Sequence, residues 1–421
     1  MPRRRKILIE AYTCAPNRGS EPGLGWNIVS RLGAEYEVYA IVEEEKWRKE
    51  IEAYCAAHPG ETAHLHFRFI AKERHRLLRK IWPPSYYWYY RKRQKKALAE
   101  ARRWDAEEHF DVVHHVTMAG YRAPGYLWKL GKPFIWGPIG GLNNTPWHLL
   151  PQLGAKGALF FAARNLINAF EKRLSLHVRR AAKAADVILS STEEGSQDIR
   201  TLWKRDAVYF CELGTNDTAA TPAPPPHTPE EPLRVAWVGL LTARKALPFL
   251  LRALPACPHP VELHVMGDGE LRNKWEDMAK ALPARHRVIF HGNIPHLQVQ
   301  KCLEQCHAAC ITSVRDDTSS VTLEYLQHAL PVIALKHCGF GAVIDETCGI
   351  RISLRSAAQI TRDITEALTA LAEDEPLRLR LSRGATARAE VYSWKKKMQA
   401  LFNIYAAALP PCTAESAADK S

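Results

Sequence analysis

A cluster of prolines, TAATPAPPPHTPEEP at Thr218–Pro232, divides this chain into two stretches that repeat one pattern, and this division constrains the fold most. Proline lacks the amide that a helix interior or a sheet ladder needs, so the cluster reads as a linker. Before it, β-rich apolar runs alternate with helical patterns: Lys6–Tyr12, Leu24–Leu32, Val38–Val42, Lys46–Ala57, then Asp111–Val116, Phe134–Trp136 and Asp186–Ser190. After it the alternation restarts with Leu233–Gly239, Leu247–Leu254, Val261–Met266, Leu271–Ala281 and Val288–His291, and continues through Ala308–Ser313, Val321–Ala329 and Pro331–Leu335. Such alternation predicts an α/β protein with doubly wound parallel sheets. The predicted organisation is a Rossmann-like domain over 1–217, a linker over 218–232 and a second Rossmann-like domain over 233–393. A helix over 394–408 could lie across the boundary, and the polar, small-residue tail 409–421 is expected to be disordered.

A length of 421 residues favours two domains, and 46% apolar with 24% charged residues suffices for real cores. Lys and Arg number 58 against 45 Asp and Glu, a formal net charge of +13 that favours an anionic partner: nucleotide, nucleic acid or acidic membrane. The basic start is followed by an apolar stretch that stops at Glu10, too short for a signal peptide. No apolar run approaches the roughly 18 residues needed to span a bilayer. Ten scattered cysteines then predict reduced thiols and a cytoplasmic location.

Two α/β domains place the carboxyl ends of two parallel sheets across a cleft, where helix N-termini and loop amides bind anions. The first loop, Gly19-Ser-Glu-Pro-Gly23-Leu-Gly25-Trp26, lets a phosphate or sugar approach the backbone. It matches neither the dinucleotide fingerprint nor the Walker pattern, and a plain βα turn fits as well. A richer segment is Thr312–Glu324, TSVRDDTSSVTLE. There the amides around Thr318, Ser319 and Ser320 and the helix dipole suit a diphosphate, while Asp316 and Glu324 can accept hydrogen bonds from sugar and ribose hydroxyls. Spacing alone also fits an ordinary N-cap at Asp317 or Thr318, with Glu324 on a solvated face.

The runs Phe290–Pro295 (FHGNIP), Thr312–Glu324 and Ala329–Ile333 (ALPVI), with Gly267–Glu270 (GDGE), Val238-Gly239 and Lys245 in the same order, resemble the donor-binding domain of retaining glycosyltransferases of family 4. The resemblance is dense over 233–352 and looser in the N-terminal half, where it rests on the GSEPG loop and on 114–144, notably Trp136–Gly141. It implies the GT-B fold, metal-independent transfer without a cofactor, and a nucleotide-sugar donor. It further implies that Glu324 binds the ribose and Asp316 the donor sugar, as the counterpart of a Glu-x7-Glu pair. Gly239 and Lys245 match a pattern that supplies cations to the diphosphate, but Leu240 stands where its arginine belongs, with Arg244 as the available substitute. A histidine five residues beyond Asp111 is also missing, since Val116 stands there and His114 and His115 precede it. Adjacent strand residues face opposite sides, so at most one of the two histidines reaches the cleft. These departures leave a non-catalytic sugar-nucleotide- or membrane-binding protein as one alternative and a nucleotide-sugar epimerase as another.

Residues 72–103 interleave basic residues with a Trp and Tyr cluster, in two pieces because of Pro83 and Pro84. This suits an anionic membrane surface and hence a lipid-linked saccharide acceptor in surface polysaccharide or lipopolysaccharide assembly. A solvated helix with packed aromatics also fits, whereas nucleic acid is disfavoured for want of a recognised binding module. A soluble saccharide acceptor stays open. Cys302, Cys306 and Cys310 recur every four residues beside His307, which reads as one helical stripe of small buried hydrophobes.

Overall fold

A computed structural model describes residues 3–72, 85–215 and 225–409. The N-terminal half forms one parallel sheet from β1 (Lys6–Ala11), β2 (Glu37–Glu43), β3 (Leu65–Ile70), β4 (Val112–Thr117), β5 (Phe134–Ile139), β6 (Val187–Ser190) and β7 (Val208–Tyr209). Their order is β3-β2-β1-β4-β5-β6-β7. The C-terminal half forms a second from β8 (Leu233–Val238), β9 (Val261–Met266), β10 (Arg287–Gly292), β11 (Ala308–Ile311), β12 (Val332–Leu335) and β13 (Gly349–Ile352), ordered β10-β9-β8-β11-β12-β13. Every residue of β4, β5, β11 and β12 is buried, as strands covered by helices on both faces must be. In each sheet the winding reverses once, between β1 and β4 and between β8 and β11. Flanking helices diverge at such a point and leave a crevice at the carboxyl ends of the strands.

The last helix, Trp394–Ala408, belongs to the N-terminal core: Trp394, Met398, Leu401 and Tyr405 are buried with Ile7, Ile9, Trp26 and Ile28. The chain therefore passes between the domains twice, and the passages are joined. Thr215 donates its amide to the Tyr392 carbonyl at 3.0 Å, and Trp394 donates to the Thr215 carbonyl at 3.0 Å. Residues 216–224 of the proline-rich segment lie outside the described residues. Its far end is docked on the C-terminal domain, where the Pro225 carbonyl accepts from Arg378 Nη2 at 3.0 Å. The tail beyond Leu409 is likewise outside the described residues. Among those described, no helix is long and apolar enough to cross a membrane.

Candidate active site

Both winding reversals open on one interdomain cleft. In the C-terminal domain, β8 runs out through Gly239 into the turn Ala243–Lys245, and β11 runs into the loop that begins helix Ser320–Gln327. The two loops are locked together, since Thr312 Oγ1 donates to the Lys245 carbonyl at 2.7 Å and Trp237 Nε1 donates to Thr312 Oγ1 at 2.9 Å. Lys245 Nζ then sits 2.7 Å from Asp316 Oδ2 and donates to Ser319 Oγ at 3.2 Å. Arg244 Nη1 reaches the same Asp316 oxygen at 3.0 Å. Burial by itself would raise the Asp316 pKa, but Lys245 and Arg244 outweigh it and hold the carboxyl below its usual range. Two cations and one carboxylate thus converge in a partly buried loop, leaving one net positive charge among the three. Leu240 is exposed and contributes no charge, whereas Arg244 lies beside Lys245.

Glu324 projects from helix Ser320–Gln327, its Oε2 accepting from Gln300 Nε2 at 3.3 Å and lying 3.5 Å from His296 Nε2. With Gly19 and Ser320 it lines a cavity of about 1020 Å³ between the domains. The three loop glycines divide their tasks. A Cβ on Gly23 would lie 2.1 Å from the Arg18 carbonyl oxygen and one on Gly25 2.3 Å from that of Thr13, so these two permit the tight turn. A Cβ on Gly19 would meet nothing within 4 Å.

The Thr318 amide is not available to a ligand: it donates to Glu212 Oε1 at 2.6 Å. Its side chain is also enclosed, with a Cβ on Gly339 falling 1.9 Å from Thr318 Oγ1. Thr318 therefore bridges domains, and Ser319 and Ser320 remain at the helix start. Neither histidine lines the cleft. His114 is fully buried, with Nδ1 2.6 Å from the Tyr405 hydroxyl and Nε2 2.7 Å from the Gly137 carbonyl. Burial presses its pKa down to about 4, so it is a neutral core residue that ties the last helix to the sheet. His115 faces the opposite side, equally buried, and burial together with His114 and Arg93 presses it down to about 3.

Several residues around the cleft have no individual signature in the sequence. Asp317 Oδ1 accepts the Gly141 amide at 2.8 Å, and Glu21 Oε1 accepts the Ala119 amide at 2.6 Å. Burial raises the pKa of Asp317, and burial together with the Asp317 charge raises those of Glu21 and Glu212, the last to about 8. Opposite them stand Arg315 and Arg164. Burial and the neighbouring Arg315 and Arg122 guanidiniums lower Arg164 to about 10.

The basic and aromatic segment at 72–103 divides where it is described. Helix Ser85–Glu108 buries Tyr89 and Tyr90 and exposes Tyr87 and Trp88, while Arg93 is buried against Glu10. Residues 73–84, including both prolines, lie outside the described residues. A larger exposed apolar face occurs instead on helix Gly154–Leu174, at Leu159, Phe160, Leu166, Ile167, Phe170 and Leu174. The expected cysteine stripe is also absent, because Cys302 ends a helix, Cys306 follows it in a loop and Cys310 lies on β11.

Residues 223–388 match the family described as glycosyl transferases group 1. Over 227 residues the chain is 27% identical to an uncharacterized glycosyltransferase, MJ1607, of Methanocaldococcus jannaschii, covering 53% of this chain and 54% of that one. The chain spans about half the length of the first curated relatives it matches. Among solved structures it resembles the lipopolysaccharide outer core galactosyltransferase WaaB, with a TM-score of 0.62 and 15% identity over 96% of this chain and 100% of that one. It also resembles Anabaena HepE, solved with UDP and glucose, with a TM-score of 0.58 and 13% identity over 96% and 100%. The paired parallel sheets are those of the GT-B fold, and the second of them lies within the stretch that matches glycosyl transferases group 1.

Proposed function

We propose that this chain is a retaining glycosyltransferase that carries a sugar from a nucleotide-sugar donor to a saccharide acceptor. The observation that carries this reading is the convergence of Lys245 and Arg244 on Asp316, with Glu324 and Gly19 on the interdomain cleft at the winding reversals. Glu324 accepts hydrogen bonds from the ribose, and Asp316 from the donor sugar. Lys245 and Arg244 offset charge developing on the leaving diphosphate, an electrostatic task whose contribution to such barriers is large. The bond from the anomeric carbon to the diphosphate oxygen breaks, and the acceptor hydroxyl forms the new bond on the same face. Its proton passes to the departing phosphate oxygen, with no protein nucleophile and no metal ion in the step. HepE, a relative in fold, is solved with UDP and glucose, which supports a nucleotide-sugar donor here.

The acceptor in this reading is a lipid-linked saccharide of surface polysaccharide or lipopolysaccharide assembly, taken from the cytoplasmic face of a membrane. Three features support it: the exposed apolar face of helix Gly154–Leu174, a cavity of about 750 Å³ lined by Phe160 and Phe161 of that helix together with Arg244, and the fold shared with WaaB. The anomeric configuration of the product made by purified protein from a panel of nucleotide sugars tests the chemistry. Retention is expected, and inversion, or no transfer by protein that binds the donor, overturns it.

A further inference from the structure

We propose that His264, His291 and Cys302 form a binding site for a zinc-class transition-metal ion at the outer edge of the C-terminal sheet. The residues come from three neighbouring elements: β9, the edge strand β10, and helix His296–Leu303. His264 Nδ1 lies 3.0 Å from His291 Nε2 and 3.5 Å from Cys302 Sγ, and the three ligand atoms all fall within 4.8 Å of one another. A tetrahedral ion with bonds of about 2.0 Å to nitrogen and about 2.3 Å to sulfur separates its ligands by roughly 3.3 Å and 3.5 Å. The His264–His291 and His264–Cys302 separations already lie within a few tenths of an ångström of these values, and the third pair is held within 4.8 Å.

The surroundings fit the same chemistry. Glu262 Oε1 lies 3.0 Å from His264 Nε2, a position from which it takes that N–H in the tautomer that leaves Nδ1 free to bind an ion. A carboxylate behind a histidine orients metal ligands in this way. One thiolate with two imidazoles is a soft to borderline set that selects zinc-class ions over magnesium or calcium. Cys306 Sγ donates to the Cys302 carbonyl at 3.2 Å and is not among the three clustered ligand atoms, so the proposal leaves the fourth position to an exogenous ligand.

The site is separate from the cleft. His296 and Gln300 point from the same helix toward Glu324, and Cys302 lies two residues past Gln300, about 200° around the helix. An ion there would fasten that helix to β9 and β10 from behind, whatever reaction the cleft performs.

The full chain, stripped by chelator and dialysis, is titrated with Co2+ alone and followed by absorption, and with Zn2+ alone by calorimetry. One ion per chain is expected, with a thiolate-to-cobalt charge-transfer band that Cys302→Ser abolishes. His264→Gln and His291→Gln should each weaken Zn2+ binding at least tenfold, and Glu262→Gln by about 10- to 100-fold. Cys55→Ser, in the other domain, should leave both readouts unchanged. Circular dichroism identifies any variant that has failed to fold, and the Glu262 and His291 variants carry the test if Cys302→Ser is lost. No stoichiometric uptake by the wild-type chain, or equal uptake by folded His264 and His291 variants, overturns the proposal.

Discussion

Asp317 and Gly141 stand on opposite domains, and the carboxylate of the first accepts the amide of the second at 2.8 Å, so the two halves meet through a buried charge. The fit depends on the preceding glycine, because a Cβ on Gly140 would fall 2.8 Å from the same carboxylate. Asp317→Ala leaves the Gly141 amide unpaired and should cost about 1–3 kcal/mol, read as a lower urea midpoint. Asp317→Asn keeps an acceptor and should cost less. Gly140→Ala should resemble the alanine variant.

Lys245→Ala should lower transfer by about 100- to 1000-fold, the usual loss when one group facing developing charge is removed. Single-turnover kinetics and circular dichroism separate that loss from unfolding. Glu324→Ala should weaken binding of whichever nucleoside diphosphate the wild-type chain takes by about 10- to 100-fold, since a hydrogen bond to a charged group contributes about 1.5–3 kcal/mol. Calorimetry with a panel of nucleoside diphosphates, UDP among them, measures this directly. A non-catalytic protein would bind donor as tightly as an enzyme and show no transfer for the lysine variant to lose.

Glu212 gives a pH dependence with a definite sign. Its pKa rises from 4.5 to about 8 in the folded chain because burial and Asp317 penalise the charged form, more than Lys397 offsets. The stabilisation is complete below about pH 4.5 and is lost as pH climbs through about 8. Thermal midpoints should therefore fall between pH 5 and pH 8.5. Glu212→Gln, which stays neutral and can still accept from the Thr318 amide, should flatten that fall.

Tyr405→Phe removes the hydroxyl partner of His114 Nδ1 and leaves a buried imidazole nitrogen unpaired. It should cost about 1–3 kcal/mol in stability while kcat of the folded fraction stays unchanged. His114→Ala should destabilise more, because it also empties core volume.

Phe160→Glu and Phe170→Glu place charge on the exposed face of helix Gly154–Leu174. Flotation with vesicles containing anionic lipid should show wild-type chain in the lipid fraction and both variants largely outside it. Tyr87→Glu and Trp88→Glu on helix Ser85–Glu108 should have smaller effects, since only those two aromatics of its first turns are well exposed.

The interior strands were legible in the sequence because burial on both faces favours continuous apolar runs, as in β11 and β12. β3, β7 and β13 were not: Leu65–Ile70 mixes in His66 and Arg68, Val208–Tyr209 is only two residues long, and Gly349–Ile352 carries Arg351. Edge strands pack on fewer sides, so their composition signals less. At the cleft, Lys245, Asp316 and Glu324 could be read because they lie in contiguous loops at family-like spacing. Glu212, Arg164 and Gly141 could not, since their roles exist only once the domains face each other. The same reason hid Cys302, whose partners are 38 residues away on β9 and one strand beyond on β10. The two histidines misled because strand alternation says which faces they take but not what covers each face. Tyr405, nearly three hundred positions later, covers that of His114.

The clasp between Thr215 and the segment around Ser393 makes the connection between the halves a pair of tethered cords rather than a single one. A solitary tether would allow one lobe to swivel freely; two held side by side restrict it to swinging about the line that joins them. A truncation ending before Trp394 would strip the front lobe of a wall of its own interior, so neither half can be cut out at the proline run and expected to keep its shape.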